Sequence, residues 1–97
     1  LAVYRGRELY HAAVPDAAGF RRWTERLAAG SLEELRAMAQ SFTAQPKAVF
    51  LAVLEQPPSV LLAVSEDAGL DAGGIVKAVL AAAGLDPPRH RMRYFQP

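Results

Sequence analysis

The run of hydrophobic and polar positions divides the chain into six segments. Turn signals separate them at Pro15-Asp16, Gly30, Pro46, Pro57-Pro58, around Gly69, and from Gly84 to Pro88. In residues 2–13 (AVYRGRELYHAA), Val3, Leu9, Tyr10 and Ala13 recur at helical spacing, with Gly6 as a weak point. This reads as the end of a helix continuing from upstream chain, closed by Pro15, which cannot extend the ladder. Residues 19–27 (GFRRWTERL) fit two patterns. Phe20, Trp23 and Leu27 lie at i, i+3 and i+7, as in a helix capped by Asp16 and stopped by Gly30. Read as a strand, Arg22, Thr24 and Arg26 share one face while Trp23 and Leu27 share the other. The pattern by itself leans slightly to the helix.

The remaining segments are less equivocal. Ser31-Leu32-Glu33-Glu34 has the form of a capping box, followed by Leu32, Leu35, Met38, Ala39 and Phe42 at helical spacing up to Pro46. Lys47 to Leu54 (KAVFLAVL) and Ser59 to Val64 (SVLLAV) are short β-branched runs around the polar Glu55–Pro58 link. They read as a hairpin of interior strands, since near-continuous hydrophobicity suits a strand covered on both faces. Asp71 to Ala83 opens on an N-cap aspartate, carries Ile75, Val76, Val79 and Leu80 inward, and stops at Gly84. The expected order is helix, undecided element, helix, strand, strand, helix.

Composition narrows the chemistry. Hydrophobic residues make up 52% of the 97, which supports a packed domain rather than a disordered chain. The absence of cysteine excludes disulfides, thiolate metal sites and a Cys nucleophile, and with only His11 and His90 no His-rich zinc site is expected within the chain. No apolar run approaches the ~20 residues that cross a bilayer, and no signal-peptide pattern opens the chain, so the default expectation is no membrane and a cytoplasmic location. The chain starts on Leu1 in an apolar stretch, which reads as a piece of a longer protein. Net charge is +1, so no field over the whole domain argues for nucleic acid. The charge is uneven, however. The last eleven residues carry Arg89, His90, Arg91 and Arg93 with no acid.

From about residue 18 to residue 84 the chain resembles the DHH-associated domain of alanyl-tRNA synthetases and alanyl-tRNA editing proteins, which also follows the catalytic module of DHH phosphoesterases. The resemblance lies in the capped helix SLEELRAMAQSFTAQP leading into the strand KAVFLAVL. It lies also in the run VLLAVSEDAGLDAGGIVKAVLAAAG, where Ser65 and Asp67 end a strand and Asp71-Ala72-Gly73 opens a helix carrying Lys77. It implies an α+β fold, a small β-α-β-β-α unit with a short sheet and helices packed on it, preceded by the end of a helix. Residues 19–27 then become the first strand. The implied division is a helical stub and linker over 1–17, the DHH-associated domain over 18–86, and a basic tail over 87–97. The implied role is that of an accessory domain that positions tRNA or another nucleic acid for a catalytic module elsewhere. Homodimerisation through residues 1–13 is the alternative, and binding of single-stranded nucleic acid beside a DHH phosphoesterase module is a further one. One departure bears on that role. Family members follow the last helix with a glycine-rich run that lets backbone approach phosphate; here only Gly84 is present, followed by LDPPRHRMRYFQP.

The candidate nucleic-acid contacts are therefore side chains. Arg22 and Arg26, which face the same way if residues 19–27 form a strand, make one set, with Arg21 adjacent. Lys77 on the last helix is another, and Arg89, Arg91 and Arg93, with Tyr94 or Phe95 stacking on a base, form a third. The bland readings are an ordinary solvent face partly paired with Glu25, a solubilising lysine, and a frayed terminus. Trp23 reads as a core or interface anchor rather than a stacking platform, and His11 as a surface residue at a helix end. Ser65, Asp67 and Asp71 crowd one loop, which helix capping by Asp71 largely explains. No nucleophile–base–acid set has a coherent spacing, so no catalytic residue and no metal ligand is expected in this chain; zinc belongs, if anywhere, to the parent protein.

Overall fold

The computed structural model describes residues 2–56, 58–67, 72–85 and 92–96. The elements are α1 (Ala2–Ala12), β1 (Arg21–Ala29), α2 (Leu32–Thr43), β2 (Ala48–Gln56), β3 (Ser59–Val64), α3 (Ala72–Ala83) and β4 (Met92–Phe95). The strands form one four-stranded sheet in the order β1-β2-β3-β4. β1 runs parallel to β2, β2 antiparallel to β3, and β3 parallel to β4. The fold is α+β, a mixed sheet with three helices packed on it.

Two β-α-β units are thus joined by a hairpin. Each step moves one strand further across the sheet, but the second unit runs in the opposite direction from the first. Two crossovers of the same hand must then put their helices on opposite faces. That is the arrangement found. α1 and α2 cover one face, where Leu9, Tyr10, Leu35, Ala39 and Phe42 pack with Phe50, Ala52, Leu54, Leu61 and Ala63. α3 covers the other, where Val79 and Leu80 meet Val49, Leu51, Val53, Val60, Leu62 and Val64. β2 and β3 therefore need apolar side chains on both faces, which explains their unbroken hydrophobic runs.

β1 is an edge strand, and its residues alternate between half-buried and exposed over most of its length. The helical reading of this segment rested on Phe20, Trp23 and Leu27 sharing a stripe. They do not share one. Phe20 packs on the α3 side of the sheet, while Trp23 and Leu27 pack on the α1/α2 side. Asp16, the cap of that supposed helix, instead closes a turn. Its Oδ1 accepts the N–H groups of Ala18 and Phe20, both at 2.9 Å, and Gly19 takes φ +86°.

Of the expected capping box, the N-cap bond is present at α2, where the Ser31 hydroxyl accepts the Glu34 N–H at 3.4 Å. Asp71, the expected cap of α3, lies outside the described residues. Gly6, the weak point of α1, sits where the two helices of the first face cross. A Cβ there would lie 2.4 Å from the Met38 carbonyl oxygen. Leu9 and Tyr10 of α1, with Ala13 just beyond it, turn into the chain's own core, while Tyr4 and Val14 stay exposed. The C-terminal segment departs from the expected basic tail. Met92–Phe95 forms β4, in register with Val60–Ala63. Pairing with the otherwise open edge of β3 is the physical reason, because it satisfies backbone groups that a frayed tail would leave to water.

Candidate nucleic-acid interface

Strand parity and an incomplete cover create the site. Arg22, Thr24 and Arg26 pair with Val49, Leu51 and Val53 of β2, so their side chains stand on the α3 face of the sheet. All three are exposed. What remains beside α3 is a trough of about 280 Å³ between β1 and the C-terminal end of that helix. Arg22, Thr24 and Arg26 line one side, and Val49, Val79, Ala82 and Ala83 line the floor and far wall. The three polar residues recur every second position, about 6.6 Å apart along the strand.

Each neighbouring arginine has a different partner. Arg22 Nη2 pairs with Asp16 Oδ2 at 3.2 Å, across a half-exposed contact. Arg26 Nη2 donates to the Ala83 carbonyl at 3.1 Å and offsets the partial negative charge at the end of α3. Arg21 faces the opposite side of the sheet, where its Nη1 donates to the carbonyls of Tyr10, His11 and Ala13 at the end of α1. Arg21 therefore caps a helix and does not extend the Arg22–Arg26 row. The Asp16 carboxyl is held below its ordinary range, chiefly by the Phe20 N–H, with the Ala18 N–H and the charge of Arg22 adding to the effect. Its ionised form is thus favoured beside Arg22.

Of the other sequence candidates among the described residues, Trp23 also lines this trough and the rest do not. Lys77 is exposed on α3 but does not line it. Arg93 is exposed on β4, at the far edge of the sheet, and its pairing with Leu61 puts it on the α1/α2 face. Arg89 and Arg91 lie outside the described residues. Trp23 packs against the α1/α2 core, and its Nε1 donates to Glu25 Oε2 at 2.7 Å. Glu25 is thus tied to Trp23, on the face opposite the Arg22–Arg26 row.

A second opening of about 490 Å³ lies between the end of α2 and the loop after β3, lined by Thr43–Pro46 and Ser65–Asp67. Its polar groups are knotted together. Lys47, held at φ +50°, donates its N–H to both carboxylate oxygens of Asp67 at 3.0 and 2.9 Å. The buried Ser65 hydroxyl donates to Asp67 through a short hydrogen bond and accepts the Ala48 N–H at 2.9 Å. The Gln96 side chain donates to the Ser65 carbonyl at 3.2 Å. Ser65 and Asp67, read in the sequence as crowding a helix-capping loop, therefore clasp the start of β2 to the end of β3. Lys47 was not singled out from the sequence, because the twenty residues between it and Asp67 hide the contact. The described residues contain no group of three or more His, Asp or Glu placed to hold a metal ion. No helix of the described residues is long and apolar enough to cross a membrane.

No protein-family model matches the chain, and no curated protein or solved structure is significantly similar to it.

Proposed function

We propose that this chain is an accessory domain that grips an RNA phosphate backbone along β1 and holds it for a catalytic module outside the chain. The observation that carries this reading is the uncovered Arg22–Thr24–Arg26 row. Two guanidinium groups and a hydroxyl stand in line on a rigid strand beside an apolar floor. That combination suits a phosphate chain with a base laid against the floor. Arg26 is preset by its bond to the end of α3. The resemblance of residues 18–84 supports a tRNA ligand and a parent of the alanyl-tRNA synthetase or editing kind. In that reading the chain itself is non-catalytic, and any zinc belongs to the parent.

Fluorescence anisotropy with a labelled tRNA tests the reading directly. The wild-type chain binds at about 50 mM salt and weakens steeply towards about 200 mM. Replacing both Arg22 and Arg26 by Ala weakens binding and lowers the salt slope by about 2. Replacing Arg89, Arg91 and Arg93 instead reports on the C-terminal segment. A folded wild-type chain that shows no binding at low salt sinks the proposal. Binding lost only in the C-terminal variant moves the contact away from β1.

A further inference from the structure

Beside the trough, paired with one of its lining arginines, stands a competitor for the ligand. Asp16 presents its two carboxylate oxygens to different partners. Oδ1 accepts the N–H groups of Ala18 and Phe20, both at 2.9 Å. The Asp16 N–H also donates to the Phe20 carbonyl at 2.9 Å, closing the turn from the other side. The loop is therefore held without Arg22. Oδ2 is left to face Arg22 Nη2 at 3.2 Å.

A carboxylate oxygen on a guanidinium occupies the same donors that a phosphate oxygen takes, with a similar charge-assisted geometry. The pair is also open to solvent, with side-chain exposures of 48% for Arg22 and 35% for Asp16. A phosphate can replace the carboxylate there without unburying either group. Arg26 differs, because its partner in the trough is the neutral carbonyl of Ala83.

We propose that Asp16 is an intramolecular phosphate mimic that occupies Arg22 and is displaced by an incoming phosphodiester, setting the affinity of the trough from within the same chain. This inference rests on the RNA-contact reading of the β1 trough. Asp16→Asn separates the two roles of the residue. The amide oxygen can still accept the Ala18 and Phe20 N–H groups, as asparagine does in such turns, while the charge facing Arg22 is gone. Glu33→Gln makes the same change in net charge at an exposed position on α2, on the opposite face of the sheet.

The measurement is affinity for labelled tRNA at low salt, for the wild type, Asp16→Asn, Glu33→Gln, Arg22→Ala and the Asp16→Asn/Arg22→Ala pair, with circular dichroism confirming that each is folded. Asp16→Asn is expected to bind about two- to five-fold tighter, the range set by a surface ion pair. Glu33→Gln should gain clearly less, and the Asp16→Asn gain should vanish in the Arg22→Ala background. Binding by the wild type with no gain in Asp16→Asn overturns the inference and leaves the trough in place. An equal gain in Glu33→Gln, or a gain that persists without Arg22, also overturns it, because the effect is then general charge. If neither the wild type nor Asp16→Asn binds, the trough reading falls and this inference falls with it.

Discussion

Arg21 lays its guanidinium over the Tyr10 ring, with Cζ 4.9 Å from the ring centroid, and its Nη1 donates to the Tyr10 carbonyl at 3.1 Å. The same nitrogen reaches the His11 and Ala13 carbonyls at 3.3 and 2.9 Å. These carbonyls end α1, where a helix leaves acceptors without intrahelical partners and a cation offsets the dipole. One side chain thus joins β1 to the end of α1. Arg21→Ala is expected to cost about 1–3 kcal/mol, from a charge-assisted hydrogen bond plus the cation–ring contact. Arg21→Lys should recover less than half, because a single ammonium cannot lie flat on the ring and reach the carbonyls together. Urea unfolding measures both, and an Arg21→Ala midpoint equal to that of the wild type would count against the cap.

Gly6 sets two principles against each other. Helix propensity favours alanine over glycine by about 1 kcal/mol. At this position, however, a Cβ would meet the Met38 carbonyl oxygen at 2.4 Å and the Ser41 Cβ at 2.8 Å. The first of these is backbone and cannot rotate away. Overpacking of this kind costs about 1–3 kcal/mol, so the clash should win. Gly6→Ala is expected to lower the Tm by several degrees, since about 1 kcal/mol moves a domain of this size by about 4–8 °C. A higher Tm would show that α1 and α2 can separate at little cost.

How much of this was legible in the sequence differs by element. The Ser31 cap and the two apolar runs were readable because their causes are local or are repeated at every position of a buried strand. Residues 21–29 were ambiguous because an edge strand carries only half the apolar signal, and Phe20 serves the opposite face from Trp23 and Leu27. β4 was hidden because four residues show too little alternation, and the edge of β3 that receives them is set by topology. Strand parity did anticipate that Arg22 and Arg26 would point the same way. It could not anticipate Asp16 beside Arg22 or Ala83 beside Arg26, since neither partner is fixed by spacing within β1.

Lys47 occupies the left-handed region at φ +50°, where a side chain is strained and glycine is at ease. What its side chain gives in return is an exposed hydrogen bond from Nζ to the Ala18 carbonyl at 3.3 Å and a solvent-screened charge that favours the Asp67 carboxylate. Its N–H bonds to Asp67 survive any substitution other than proline. Lys47→Gly is therefore expected to be neutral or to stabilise by up to about 1 kcal/mol, because the relief of strain exceeds the greater flexibility of the unfolded chain. Lys47→Val should destabilise, since a β-branched residue tolerates this conformation least. If Lys47→Gly destabilises clearly and Lys47→Val does not, backbone strain is the wrong account of this position.

Asp67 ties that same backbone to a pH dependence. The Ser65 hydroxyl lowers its carboxyl pKa most, and the Lys47 N–H and charge add to the effect against a desolvation cost. A carboxyl whose folded value lies below its unfolded value of about 3.9 binds its proton more weakly when folded. Its contribution to stability is therefore complete above about pH 4 and is lost as the pH falls through the folded value. Asp16 is shifted in the same direction and acts in the same window. Denaturant midpoints should be flat from about pH 7 to about pH 5 and fall below about pH 4. Asp67→Asn should be less stable at neutral pH and lose part of that acid slope, and the Asp16→Asn/Asp67→Asn pair should lose more of it. An Asp67→Asn chain that keeps the full acid slope would mean that the clasp between β2 and β3 does not depend on the ionised carboxylate.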